Sequence, residues 1–262
     1  MLPRLISIGN FSIPTYGVLV TLGFLAGLTI ASRLARRSGI DSEKATNLGV
    51  YSALAGLLGA KLWMFVFDWR YFSANPGEIF SLSTLQAAGV FQGGLLLAIA
   101  FAFWYMRSAK MPVLTTLDAF APGITLGHAI GRIGCFAAGC CTGTRCDRPW
   151  AVTFTNPEAQ VPPEDLNVPL HPAQLYESAL LLFLFAALYR AWGRPHQTGT
   201  IFALYLILSA LIRFGVEFFR HHAQDLPFGL PLSLTQWIAL GILAGGTWML
   251  LVIRRNRQGV AV

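Results

Sequence analysis

Apolar runs of about twenty residues, repeated along nearly the whole chain, constrain this fold more than any other feature. The candidate spans are Tyr16–Leu34, Ala45–Phe67, Val90–Met106, Val113–Gly131, Tyr176–Trp192, Thr200–Arg220 and Leu234–Ile253. Hydrocarbon offers the backbone no hydrogen-bond partner, and a helix supplies its own, so runs of this length belong in helices. With 55% hydrophobic and 12% charged residues among 262, the chain holds about half the charge of an ordinary soluble domain. It reads as an all-α integral membrane protein with about seven transmembrane helices. Asp118 and Pro122 interrupt the fourth run and make it the weakest. The first run follows no signal-peptide pattern and is expected to be retained. We read residues 1–262 as one transmembrane domain with a small external head loop at 142–172, in which Val152–Thr155 has strand character.

Lys and Arg in the short loops set the orientation. Arg33, Arg36, Arg37, Lys44, Arg107, Lys110, Arg190, Arg194, Arg254, Arg255 and Arg257 flank one side. Arg4, Arg70, Arg145, Arg148 and Arg220 flank the other, about half as many. The richer side is expected to be cytoplasmic, which puts the N-terminus outside and the C-terminus inside. The net charge of +7 is thus a topology signal scattered over separate loops, and it forms no stripe for nucleic acid.

This topology assigns a depth to every polar group inside a span. Tyr16, Lys61, Gln92, Gly93, Gly94, His128, Arg132, His171, Gln174, Tyr176, Glu177, Arg213, Glu217 and Arg220 all fall toward the external leaflet, with Asp118 the main exception. A charge at the bilayer centre costs about 2.5–3.5 kcal/mol on the insertion scale, so agreement among separate segments points to one polar cavity. Arg213, Glu217 and Arg220 share a helical face. One carboxylate cannot satisfy two guanidiniums, which favours an anion site over a simple ion pair. Arg132 sits among Gly127, Gly131, Gly134 and Gly139, where free backbone amides could serve an anion or small residues could pack helices. His171 is either a helix-start cap or a base or donor to a phosphate. His221 and His222 read as solvated. Cys135, Cys140, Cys141 and Cys146 have a spacing poor for zinc. Structural disulfides or packing lead there, a functional thiol and a metal follow, and no metal site or cofactor is expected.

These residues match a family pattern. PTYG at Pro14–Gly17, GAKLW at Gly59–Trp63, QGGL at Gln92–Leu95, GRIGCF at Gly131–Phe136 followed by Gly139, HPAQLYE at His171–Glu177, IRFGVEFFR at Ile212–Arg220 and LSLTQW at Leu232–Trp237 occur in order. The chain resembles bacterial prolipoprotein diacylglyceryl transferases over nearly its whole length. The resemblance implies a seven-helix, multi-pass enzyme of the bacterial inner membrane. It would move the diacylglyceryl group of phosphatidylglycerol to a cysteine thiol in the signal peptide of a preprolipoprotein, releasing glycerol phosphate. Its partners would be that lipid, other membrane lipids and the signal peptide, with no nucleic acid.

On this reading Arg132, Arg213, Glu217 and His171 carry the reaction. Tyr16, Lys61, Gln92, Gly93, Gly94, Gly134, Gln174, Tyr176, Glu177 and Arg220 bind substrate. The leaving group is a phosphate monoester, which suits arginines, and the attacking thiol needs a base or a cationic setting. The chain departs from the family where Gln92 replaces a common histidine, where Cys135, Ala138 and Cys140 replace two asparagines and an acid, and where Lys61 replaces an arginine. A paralogous transferase with another lipid or acceptor and a non-catalytic lipid-binding membrane protein are the alternatives. A transporter should show inverted repeats and midplane sites on broken helices, and neither is visible here.

Overall fold

The computed structural model describes residues 2–8, 11–81, 84, 89–220 and 231–258, so the expectation for His221 and His222 lies outside the described residues. The chain opens with the antiparallel strands β1 (Arg4–Ile8) and β2 (Phe11–Pro14). Helices follow: α1 (Thr15–Arg37), α2 (Ser42–Phe67), short α3 (Trp69–Ala74), α4 (Phe91–Ser108) and α5 (Val113–Ala138). A head segment carries β3 (Val152–Thr153) and β4 (Pro169–Leu170), and then come α6 (Ala173–Trp192), α7 (Thr200–Glu217) and α8 (Leu234–Gln258).

Among the described residues six helices, α1, α2, α5, α6, α7 and α8, are long and apolar enough to cross a membrane. The seventh expected run is helical as α4 but falls outside that set. Gln92, Gly93 and Gly94 in its first turn and Arg107 in its last reduce its apolar content. The expected end of the fourth span is corrected. Helix α5 continues past Gly131 to Ala138, so Arg132 and Cys135 are helical, and only Cys140, Cys141 and Cys146 lie beyond its end.

The chain forms two compact units, one of Met1–Leu34 with Leu117–Val262 and the other Ala35–Thr116. In the smaller unit, α2 and α4 cross closely on glycine. A Cβ on Gly59 would stand 2.6 Å from the Gly93 carbonyl oxygen, and one on Gly93 would stand 2.3 Å from the Trp63 Cβ. Gly94 approaches the Gly56 carbonyl in the same way. Such small-residue contacts replace the hydrophobic drive that lipid removes.

In the larger unit, α1 crosses α5 through Gly23 and Gly27 against Gly127 and Gly123. A Cβ on Gly123 would come within 2.3 Å of the Gly27 carbonyl oxygen. The core between α5, α6 and α7 consists of Ala121, Ala129, Leu181, Leu184, Leu188 and Ile201. The head packs Phe154, Val161 and Leu170 against Phe136 at the end of α5, and the expected strand forms over Val152–Thr153.

Asp118, the polar residue out of place in the depth pattern, has a local structural role. Helix α7 begins at Gly199, which has φ +91 and no side chain to cap with. Asp118 Oδ2 accepts from Gly199 N at 2.6 Å, and Oδ1 accepts from Phe202 N at 2.8 Å. The carboxylate of α5 therefore caps α7, facing the positive end of its dipole. Hydrogen bonds to an ionised acceptor are worth about 1.5–3 kcal/mol each. Asp118→Ala should destabilise the protein by about 2 kcal/mol or more, read as a lower unfolding midpoint in detergent. An unchanged midpoint would refute the cap.

Candidate active site

Helices α5, α6, α7 and α8 deliver polar residues to one end of the larger unit. Glu177, on the second turn of α6, is 2% exposed. Its Oε1 lies 3.0 Å from Arg132 Nη2 of α5 and 3.5 Å from His128 Nε2. Its Oε2 lies 3.9 Å from Arg213 Nη1 of α7. Arg213 Nη2 is 2.6 Å from Glu217 Oε2, one turn on. Arg220 Nε is 4.0 Å from the same oxygen. Ser233 Oγ donates to Glu217 Oε1 at 3.0 Å.

Glu177, expected in the same polar cavity, joins Glu217 as a second carboxylate facing the arginines. Three guanidiniums face two carboxylates, so among these five groups one positive charge is in excess. Arg132 Nε and Arg213 Nη1 are buried with no hydrogen-bond acceptor among the described residues. Buried donors are seldom left in that state. Two such groups on different helices, in a cationic cluster, have the donor chemistry that suits an anion with several oxygens.

The head is tied to the same end. Gln174 Nε2 donates to the Cys140 carbonyl at 2.8 Å, Gly143 N donates to the His171 carbonyl, and Thr144 N donates to the Phe219 carbonyl. Gly143 allows this seam, since a Cβ there would stand 2.5 Å from the His171 carbonyl oxygen and 2.6 Å from that of Phe219. His171 Nδ1 is 3.1 Å from the Tyr176 hydroxyl, and the His171, Tyr176 and Phe219 rings meet edge to face.

All four cysteines are free thiols, so of the two leading alternatives, disulfides or packing, no disulfide is formed. The Sγ atoms of Cys135, Cys140 and Cys141 lie within 4.8 Å of one another. Hydrogen bonds from Cys135 and Cys140 hold the Cys141 thiol far below its usual range, with Arg220 and Arg132 acting in the same sense. The Cys140 thiol is pushed far up, chiefly by its bond with Cys135.

The structure thus brings Arg132, Glu177, Arg213, Glu217 and Arg220 into one network. The Tyr16 ring lies against α5 at Gly134, where a Cβ would stand 3.3 Å from it. His171, Gln174 and Tyr176 form the seam to the head. Gly127 packs against Gly23, and Gly131 has open space around it. Lys61, Gln92, Gly93 and Gly94 belong to the smaller unit, where Lys61 Nζ donates to the Thr84 carbonyl and the two glycines lie in the α2–α4 crossing. Residue-by-residue reading missed the role of Ser233 and Gln236. Gln236 N donates to Ser233 Oγ at 3.2 Å, and Ser233 N donates to Gln236 Oε1 at 2.9 Å. This reciprocal pair is a capping box at the start of α8. Its signal, Ser-x-x-Gln ahead of an apolar run, was available in LSLTQW.

A model of the family described as prolipoprotein diacylglyceryl transferase matches residues 3–252. The chain is 33% identical to the phosphatidylglycerol–prolipoprotein diacylglyceryl transferase of Nitratidesulfovibrio vulgaris, over 99% of this chain and 96% of that one. It is 31% identical to the protein of the same name from Finegoldia magna, covering 96% and 95% of the two chains. The Clostridium tetani protein of that name is also 31% identical, covering 98% and 100%.

Proposed function

The chain belongs to the prolipoprotein diacylglyceryl transferase family, and on that premise we propose that it transfers the diacylglyceryl group of phosphatidylglycerol to the cysteine thiol of a preprolipoprotein signal peptide. It acts as a multi-pass enzyme of the bacterial inner membrane, with α4 as a seventh crossing, the N-terminus and head outside and the C-terminus in the cytoplasm. The carrying observation is the pair of unsatisfied buried donors, Arg132 Nε and Arg213 Nη1, on guanidiniums that share Glu177.

In the reaction the acceptor sulfur attacks the terminal glyceryl carbon. The S–C bond forms as the C–O bond breaks, and the electron pair moves to the phosphate oxygen of the departing glycerol phosphate. Charge therefore grows on that phosphate in the transition state, where fixed guanidiniums act most strongly. Arg132 and Arg213 receive it, and Arg220 adds charge through Glu217. Glu177 and Glu217 position the guanidiniums, so little reorganisation remains when charge develops. His171 accepts the thiol proton, with its Nδ1 3.1 Å from the Tyr176 hydroxyl. Tyr16, Gly134, Gln174 and Tyr176 line the substrate. The binding roles of Lys61, Gln92, Gly93 and Gly94 rest on the motif resemblance.

The test is direct. Purified protein, phosphatidylglycerol and a lipobox peptide should yield a peptide heavier by one diacylglyceryl group, in a bond stable to reduction. No mass shift under conditions where a family member turns over would reject the reading.

A further inference from the structure

Cys135 lies on the last turn of α5, and Cys140 and Cys141 follow its end. Gly139 at φ +75 and Cys141 at φ +59 turn the chain back, and Cys140 N donates to the Cys135 carbonyl at 3.1 Å. A spacing that looks scattered along the chain is therefore compact in space, with three sulfurs within 4.8 Å of one another. Ligands about 2.3 Å from one zinc-class ion stand roughly 3.8–4.0 Å apart. A disulfide would require about 2.05 Å.

Arg132 precedes Cys135 by three residues on α5, so the two share a helical face and a guanidinium stands on the cluster's own helix. Burial falls off across the cluster, with Cys135 buried, Cys140 half-buried and Cys141 exposed. One side of the cluster is thus open. Three protein ligands with a vacant fourth position are the arrangement of reactive zinc sites, whereas structural sites are closed by four. Cys146 is buried elsewhere in the head and belongs to no such group among the described residues.

We propose that Cys135, Cys140 and Cys141 form a three-thiolate site for a thiophilic divalent cation of the zinc class, whose open fourth position takes the cysteine thiol of the acceptor peptide. The second half of this statement rests on the transferase reading above. A thiol bound to such a cation is deprotonated outright, and its proton passes to His171. The bound thiolate then attacks the glyceryl carbon. The S–C bond forms, the C–O bond breaks, glycerol phosphate leaves with the electron pair, and the neutral thioether dissociates from the cation. The site supplies an acidified thiol in a chain where position 92 is a glutamine with no proton-accepting group. A relay through Cys141 itself fails chemically, because its alkylated sulfur would be a thioether with no comparable leaving group.

The experiment uses the full chain in detergent with phosphatidylglycerol, reduced, freed of metal and titrated with Co²⁺. A thiolate-to-cobalt charge-transfer band should saturate at a single equivalent and be displaced by Zn²⁺. Cys135→Ser, Cys140→Ser and Cys141→Ser should each weaken binding by about 100-fold or more, above the roughly 10–100-fold that outer-shell losses cost, while Cys146→Ser binds as wild type. No band in the wild-type protein, a band indifferent to the three substitutions, or two of the three thiols paired as a disulfide on isolation would overturn the site. Chelation should abolish transfer and Zn²⁺ should restore it. Full turnover after chelation, with cobalt binding intact, would overturn the thiol-activation half. A saturating band in a protein that never lipidates the peptide would overturn the transferase reading and leave the cation site standing.

Discussion

Replacing Arg213 with alanine is expected to cut kcat for diacylglyceryl transfer by about 10³-fold, at the upper end of what a single preorganised donor contributes. The argument starts from Arg213 Nη1, buried with no acceptor, on a guanidinium whose other end is fixed 2.6 Å from Glu217. A group held this way donates to the phosphate as charge develops, without first giving up water. Arg132→Ala should cost as much, because Arg132 Nε is in the same state and its Nη2 is fixed 3.0 Å from Glu177. The double variant should lose less than the product of the two single effects, since both guanidiniums share Glu177 and one ligand. Lysine should rescue neither, because a point charge cannot supply two parallel donors while still facing its carboxylate. Membrane insertion and detergent stability should be retained well enough to purify each variant. Wild-type turnover by either single variant in the lipobox-peptide assay would remove the phosphate clamp.

The convergence of Arg132, Glu177, Arg213, Glu217 and Arg220 was legible in the sequence because charges inside apolar runs are rare and expensive, and several segments carried theirs at one depth. Which carboxylate holds which guanidinium was not legible. Glu177 sits in HPAQLYE, far along the chain from Arg132, and only the packing of α6 between α5 and α7 makes it the shared partner. Asp118 stood out as an anomaly in depth, but its partner, the bare Gly199 start of α7, is distant in sequence. Glycines were ambiguous for a related reason. Gly123 and Gly127 serve a helix crossing while Gly131 faces open space, and composition cannot separate the two. The thiol cluster escaped because spacing rules assume ligands on an ordinary turn, whereas here a helix end and two left-handed residues fold the interval back.

Glu177 carries the other large expectation. It is 2% exposed, and its two oxygens face Arg132, His128 and Arg213. Glu177→Ala removes the only carboxylate paired with Arg132 among the described residues, leaving a buried guanidinium uncompensated. Breaking a buried pair from one side costs about 3–5 kcal/mol, a large share of the roughly 5–15 kcal/mol that holds a typical domain folded. The alanine variant should therefore accumulate poorly and unfold at a markedly lower temperature in detergent. Glu177→Gln keeps the shape and one acceptor oxygen but deletes the negative charge. The excess positive charge of the cluster then rises by one, which strengthens ground-state binding of phosphatidylglycerol and of the glycerol phosphate product. The guanidiniums also lose the partner that aims them, which weakens the interaction specific to the transition state. KM should fall while kcat falls further, a split that simple loss of folded protein cannot produce. Kinetics of the glutamine variant against phosphatidylglycerol concentration test this, with glycerol phosphate inhibition as a second readout. A raised KM with unchanged kcat would show that Glu177 contacts the lipid directly and does not hold the arginines.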